Sequence, residues 1–145
     1  MVHIEDTLTI AAPPDHVFAA LRRMLEEPDS ATIVSRAEDT MIADFATRAG
    51  FFTFRTRERI TFRPPDRIDF EHIRGPFRSC SESFILTAVN QGTRITHTAD
   101  FSLKLPLLGD FIARTIVAPR FRALVLEHLG QVKQRIEADT SSARP

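Results

Sequence analysis

The C-terminal third of the chain carries apolar residues at the spacing of an α-helix, and this long pattern constrains the fold most. It begins at Pro106 and runs to about Ala138. At ~1.5 Å per residue, such a helix measures about 45 Å, so its apolar stripe needs a partner of similar length. Pro119 lies inside the helix and should kink it, because proline removes a backbone hydrogen bond. The apolar positions are 108, 111, 112, 116, 121, 124, 125, 129, 132 and 136.

The residues before this helix read mainly as strands, which predicts one curved sheet as its partner. A helix opens early, where Pro13-Pro14-Asp15 places proline and then a carboxylate in a first turn. We therefore expect an α+β fold, in which a curved seven-stranded antiparallel sheet is wrapped around the long C-terminal helix. The strands are predicted over 3–10, 32–37, 40–47, 51–62, 67–73, 77–89 and 93–104.

Turn signals predict how neighbouring strands align. A tight turn at Asn90-Gln91 would place Val89 opposite Gly92, and counting back makes Phe84 face His97. The same count across the turn at 63–66 pairs Glu58 with His72, Ile60 with Phe70 and Arg59 with Glu71. Inward residues then meet inward residues, as a correct register requires. A two-residue loop at the 74–77 turn would place inward residues opposite outward ones, so a bulge or a longer loop is expected there.

Composition indicates one globular domain. The chain has 145 residues, and we expect a single domain over 1–138 followed by a flexible tail over 139–145. Lys and Arg number 19 in total, and so do Asp and Glu. With no net charge, no overall field draws the chain to nucleic acid or anionic lipid, and nucleic acid is not expected as a partner.

Three features predict a cytoplasmic location. Cys80 is the single cysteine, which excludes an intramolecular disulfide and fits a reducing compartment. The first residues lack the basic and apolar regions of a signal peptide. No stretch approaches the roughly 18 apolar residues that a membrane span needs. A homodimer is also compatible with the sequence.

Alternation places four strongly polar side chains on the inner face of the predicted sheet. They are Glu58, His72, Glu82 and His97. Glu58 and His72 are predicted neighbours, whereas Glu82 and His97 stand diagonally, within reach of long side chains. In one interpretation they bind the polar end of a ligand or act as acid and base, because burial shifts such pKa values toward neutrality. In the other they are ion pairs that satisfy each other, or strand ends that reach solvent.

Other chemistry has less support. The two His and two Glu residues lie on separate strands without closely spaced ligand motifs, so we predict neither a metal site nor a cofactor. Cys80 faces inward without a neighbouring base and reads as a small core residue. Arg55, Arg57 and Arg59 form a basic stripe on the outer face, which the cross-strand pair Arg59–Glu71 would largely neutralise.

The order of elements and several local motifs resemble the START/Bet v 1-like (SRPBCC) superfamily, of polyketide cyclase and lipid-binding type. The resemblance covers nearly the whole chain and implies the helix-grip fold, in which a pocket for a hydrophobic ligand lies between the sheet and the C-terminal helix. Members include lipid carriers, aromatase/cyclases and co-chaperones. The motifs are Ile10-Ala11-Ala12-Pro13-Pro14-Asp15-His16-Val17-Phe18, Gly75-Pro76-Phe77, Gly92-Thr93-Arg94-Ile95 and Leu105-Pro106-Leu107-Leu108-Gly109.

Pattern and resemblance together predict a protein that binds a lipid, polyketide or isoprenoid-like molecule in that pocket. Glu82 and His97 would anchor its polar end, with Glu58 and His72 nearby. A cyclase or dehydratase that uses the same polar residues is the first alternative, and a ligand-free interaction module is the second. Whether the protein is an enzyme stays open. The predicted apolar walls are Phe52, Phe54, Phe84, Phe101, Phe111, Ile112 and Ile116.

Overall fold

The strands and helices follow the expected order closely. The computed structural model describes residues 1–27, 31–49 and 51–142, except for the side chains of residues 48, 49, 52 and 140–142. The strands are β1 (Val2–Ile10), β2 (Ala31–Arg36), β3 (Thr40–Ala49), β4 (Phe52–Arg63), β5 (Arg67–Arg74), β6 (Phe77–Val89) and β7 (Gly92–Leu103). The helical elements are α1 (Pro14–Glu26), α2 (Gly109–Ile112), a π-helical segment (Ala113–Val117) and α3 (Ala118–Ser142).

All seven strands join one antiparallel sheet in the order β1-β7-β6-β5-β4-β3-β2. The hairpins from β2 to β7 follow one another along the chain, and β1 closes the far side by pairing with β7. The final helix packs against β1 and α1. This α+β arrangement is the helix-grip fold, which confirms the fold expected from the sequence.

The predicted strand registers are confirmed. Val89 pairs with Gly92, Phe84 with His97 and Glu58 with His72. Two bulges flank the turn at 74–77, where an irregularity was expected. One sets Ile73 outside the β4–β5 ladder, and the other sets Arg78 outside the β6–β7 ladder. Bulges of this kind re-aim the side chains beside them.

The buried apolar residues form two separate clusters. The larger cluster joins α1 to the sheet and to the end of α3, through residues such as Phe18, Ile60 and Leu129. The smaller cluster joins the start of β1 to the π-helical segment, through Ile4, Phe101 and Ala113 among others. Along β6 and β7 the clusters are separated by two polar side chains: Glu82 follows Cys80 and precedes Phe84, and His97 lies between Ile95 and Ala99.

The C-terminal helix buries a different face from the one that a regular helical period predicts. Phe111 and Ile116 are 65% and 51% exposed, whereas Ala113 and Ala118 are buried. These two alanines are five residues apart because the π-helical segment inserts an extra residue into the turn. The apolar stripe is therefore displaced around the helix, and burial then follows the predicted positions from Leu129 onward.

The expected irregularity near Pro119 takes the form of this π-helical turn. Proline has no N–H to donate, and its ring crowds the carbonyl of the preceding turn, so a widened turn just before it relieves the clash. The helix also runs farther than the predicted end near Ala138, because α3 continues to Ser142. Residues 143–145 lie outside the described residues.

Candidate functional site

A row of alternating acidic and imidazole side chains crosses four consecutive strands on the inner face of the sheet. Glu58 on β4 and His72 on β5 stand directly opposite each other, and Oε1 of Glu58 lies 2.9 Å from Nδ1 of His72. Both side chains are almost fully buried. Strand pairing therefore holds this first dyad in place from both sides.

The second dyad continues the row on β6 and β7. Nε2 of His97 lies 2.9 Å from Oε2 of Glu82, although the ladder pairs Glu82 with Ala99 and His97 with Phe84. The contact is thus diagonal, as expected from the sequence. The side chain of His97 is completely buried, and that of Glu82 is mostly buried.

Each imidazole in the row keeps one ring nitrogen without a partner. Among the described residues, Nε2 of His72 and Nδ1 of His97 are buried and lack any hydrogen bond. An ionised carboxylate only accepts hydrogen bonds, so the ring nitrogen that faces it carries the proton. The opposite nitrogen of a neutral imidazole is then an acceptor. With an ionised carboxylate and a neutral imidazole, each dyad therefore presents an oriented, desolvated acceptor.

Burial and charge also perturb the carboxyl group of Glu58. Desolvation raises its pKa above the ordinary value and outweighs the opposing hydrogen bond and charge of His72. The negative charge of Glu82 raises this pKa further, so the two dyads influence each other electrostatically. A carboxyl group of this kind can exchange a proton nearer to neutral pH than an exposed one.

Aromatic rings surround both imidazoles. The ring of Phe84 lies 4.8 Å from that of His97, and Phe121 of α3 approaches the same imidazole at 6.0 Å. Phe77 meets His72 edge-on at 5.2 Å, and Phe101 contacts both Phe77 and Phe121. The row is therefore a polar band within an apolar, aromatic environment, where each hydrogen bond is strengthened.

The structure distributes the predicted wall residues over two environments. Phe84 and Phe101 lie beside the dyads, and Ile112 is half-buried. Phe54, Phe111 and Ile116 are exposed to solvent. The side chain of Phe52 lies outside the described residues.

Sequence reasoning missed two aromatic neighbours of the row, Phe77 and Phe121. Phe121 belongs to the predicted helical stripe, but only the displaced phase of the helix brings it over His97. Phe77 follows the Gly75-Pro76 turn at the start of β6, and the nearby bulge left its facing undetermined. The Gly-Pro-Phe motif itself was the available signal.

Other candidate chemistry finds little support in the described residues. Burial raises the pKa of the Cys80 thiol well above its ordinary value, and the charges of Glu82, Glu58 and Asp100 raise it further. No group of three or more His, Cys, Asp or Glu side chains in the described residues is arranged to hold a metal ion. On the outer face, Arg57 binds Asp44 at 2.8 and 3.0 Å, and Arg59 binds Glu71 at 2.9 Å, which confirms the predicted Arg59–Glu71 pair and neutralises two of the three arginines of the stripe.

Two open depressions lie at the end of the sheet where β1 begins. The smaller, of about 290 Å³, is lined by Val2, Ile4, Arg114 and neighbouring residues. The larger, of about 490 Å³, lies between Arg78 and the segment that leads into α2. Neither is lined by the Glu–His row. Among the described residues, no helix is both long and apolar enough to cross a membrane.

Solved structures share the fold over nearly their entire length. An aromatase/cyclase, Zhui from Streptomyces sp. R1128, has a TM-score of 0.80 at 18% identity, with 94% of this chain and 93% of that chain covered. A protein from Thermus thermophilus, TTHA0849, has a TM-score of 0.78 at 21% identity, covering 95% and 99%. A norcoclaurine synthase point mutant from Thalictrum flavum has a TM-score of 0.71 at 13% identity, covering 96% of each chain.

No curated protein matches the sequence significantly. A family model described as polyketide cyclase / dehydrase and lipid transport matches residues 1–137. The matched span runs from β1 almost to the end of α3 and includes all four residues of the Glu–His row. The chain therefore belongs to the polyketide cyclase / dehydrase and lipid transport family.

Proposed function

We propose that this protein binds a hydrophobic small molecule, of lipid, polyketide or isoprenoid type, between the sheet and the C-terminal helix. The observation that carries the proposal is the pair of buried ring nitrogens without partners, Nε2 of His72 and Nδ1 of His97. A buried polar atom without a hydrogen bond costs about 1–3 kcal/mol. A ligand that donates to these nitrogens would remove that cost on binding.

The surroundings indicate the chemistry of such a ligand. Apolar clusters lie on both sides of the row, so most of the ligand is expected to be apolar. Its polar group should be a hydroxyl or another hydrogen-bond donor, placed at His97 and held in an orientation set by Glu82. The half-buried Phe84 and Phe121 would contact the apolar part on either side of that imidazole.

Native mass spectrometry of freshly purified protein tests this proposal, beside the same sample after denaturing extraction. An apolar compound of a few hundred daltons that is released only by denaturation is the expected result. A clean mass of the free chain would shift the proposal toward a transient substrate or a ligand-free interaction module.

A second measurement tests the polar anchor. We expect 2-naphthol to bind more tightly than naphthalene, which lacks the donor. His97→Phe keeps an aromatic ring but removes both nitrogens, and should weaken 2-naphthol binding by roughly fivefold to tenfold while leaving naphthalene binding nearly unchanged. His128→Phe, at an exposed position of α3, is the matched control and should change neither. Equal losses for both probes would contradict the anchor.

A second candidate function is a cyclase or dehydratase that acts on a polyketide-like substrate. The observation that favours it is the carboxylate–imidazole geometry, which fixes the protonated nitrogen and leaves the other as a base. His97 would take a proton from the substrate, and Glu82 would stabilise the imidazolium. Turnover that collapses in His97→Gln while the substrate still binds would favour this candidate over a carrier.

A further inference from the structure

Exposed large apolar side chains are concentrated at one end of the molecule. Of the eleven found among the described residues, nine lie at this end, and only Val34 and Leu126 lie elsewhere. Monomeric proteins rarely leave such side chains together without a use for them. We call six of these nine residues the apolar rim: Phe51, Phe54, Leu105, Leu107, Leu108 and Phe111.

Strand pairing brings the two parts of the rim to the same end of the sheet, with β5 and β6 between them. The register places Phe52 at the start of β4 opposite Ala49 at the end of β3. On the other side, the end of β7 at Leu103 pairs with the start of β6 at Phe77. The β3–β4 turn and the segment after β7 therefore project from one end, and each carries a fully exposed side chain: Phe51 at 105% and Leu107 at 102%.

Leu107 is held outward by an unfavourable backbone conformation. Its φ angle is +67°, in the left-handed region that residues with a Cβ rarely occupy. A leucine in this conformation costs free energy and gains no burial within the chain. Strain of this kind is characteristic of functional segments.

Unpaired positive charges accompany the rim. Arg78 lines the same depression as Leu105 and Leu107. Arg78, Lys104 and Arg114 make no ion pair within the described residues, whereas Asp110 lies 3.6 Å from the N-terminal amine. The whole chain has no net charge, but this end carries an excess of free cations. The expectation that no field would attract anionic lipid holds for the chain as a whole and not for this surface.

We propose that the apolar rim docks onto the surface of an anionic lipid bilayer. Apolar side chains from two separate loops would enter the boundary between headgroups and acyl chains, while Arg78, Lys104 and Arg114 meet the anionic headgroups. A fluid bilayer receives singly projecting side chains such as Phe51 and Leu107 without preformed pockets, whereas a protein partner would need a matching pocket for each. This docking is independent of what the Glu–His row binds.

Co-sedimentation with vesicles tests the proposal. We expect binding to vesicles of phosphatidylcholine mixed with phosphatidylglycerol, much weaker binding to phosphatidylcholine alone, and weakening by added salt. Arg78→Gln and Lys104→Gln should each weaken binding by roughly fivefold, whereas Arg94→Gln, an exposed cation at the opposite end, should not. Leu107→Gln should weaken it by roughly tenfold, and Leu126→Gln on α3 is its control.

Insertion can be read directly, because the chain contains no Trp or Tyr. In Leu108→Trp, we expect the emission of the new indole to shift to the blue on addition of anionic vesicles, and in Leu126→Trp to stay unchanged. Failure of the wild-type protein to bind vesicles would overturn the proposal, and would leave the rim as a surface for a protein partner. Equal weakening by the rim and control variants would also overturn it. Retained 2-naphthol binding in Leu107→Gln would separate docking from ligand binding.

Discussion

Nε2 of His97 lies 2.9 Å from Oε2 of Glu82, although the two residues stand diagonally on neighbouring strands. The imidazole is completely buried and the carboxylate mostly so, which means that the partner left behind stays largely desolvated if the other is removed. Breaking a buried pair costs more than the pair contributes, because the remaining group keeps its desolvation penalty. The dyad is therefore a sensitive point of the fold as well as a candidate anchor.

His97→Ala is expected to lower the free energy of unfolding by about 3–5 kcal/mol, because it leaves a cavity and an unpaired carboxylate. Urea denaturation followed by circular dichroism measures this loss. His128→Ala removes the same side chain from an exposed position and should change stability by less than about 0.5 kcal/mol. Similar small changes in both variants would show that the buried imidazole adds little to stability.

Glu82→Ala and the double variant complete a thermodynamic cycle with His97→Ala. We expect the double variant to be more stable than the sum of the single losses predicts, by at least about 1 kcal/mol, because it leaves no unpaired partner. Losses that add within about 0.5 kcal/mol would mean that the hydrogen bond contributes no coupling free energy.

Glu58 should make stability depend on pH. Burial raises the pKa of its carboxyl group in the folded protein, so the folded state holds the proton to higher pH than the unfolded state does. Stability should therefore fall as pH rises from the ordinary carboxyl pKa through the raised one. Glu58→Gln removes the titration and keeps an oxygen that can accept from Nδ1 of His72. As pH rises through this window, the free energy of unfolding of the variant should increase relative to that of the wild type. Parallel curves of stability against pH would contradict the assignment.

Much of the fold and the Glu–His row could be predicted because alternation in a strand has a period of two. Once the Asn90-Gln91 turn fixed the pairing of Val89 with Gly92, the inward residues of β6 and β7 between that turn and the Cys80–Phe101 pair followed, including the diagonal contact of Glu82 with His97. The direct pairing of Glu58 with His72 followed from the preceding hairpin in the same way.

The phase of the C-terminal helix could not be predicted. A single π-helical turn moves burial from Phe111 and Ile116 to Ala113 and Ala118, and apolar spacing alone does not reveal one extra residue in a turn. Pro119 indicated where the irregularity lies but not its form. The two apolar clusters and the contact of Phe121 with His97 depend on this phase, so they also escaped prediction.

Substitution of Gly75 tests whether the His72 ring must keep its position beside Glu58. A Cβ at this residue would lie 2.7 Å from Cε1 of His72 and 3.0 Å from the carbonyl oxygen of Arg55, and φ is +146°. Gly75→Ala should therefore displace the imidazole from Glu58 and destabilise the fold by about 1–3 kcal/mol. Thermal unfolding, with the NMR shift of the His72 ring, measures both effects.

Gly130 provides the matched control, because a Cβ there meets nothing within 4 Å. Gly130→Ala lies within α3 and should stabilise the protein by about 0.5–1 kcal/mol through helix propensity. Effects of the same sign at both glycines would contradict the steric account of Gly75.

Cys80 should be unreactive in the native protein. Its side chain is buried, and burial together with the nearby carboxylates raises the pKa of the thiol, so the nucleophilic thiolate is scarce at neutral and mildly alkaline pH. We expect a thiol-specific reagent to label native Cys80 more slowly than denatured protein by on the order of a hundredfold. The combined substitution of Cys80→Ser with Ser35→Cys moves the thiol to an exposed site on β2 and should restore fast labelling of the native fold. Fast native labelling at Cys80 itself would contradict this expectation and would make the thiol a candidate nucleophile of the site.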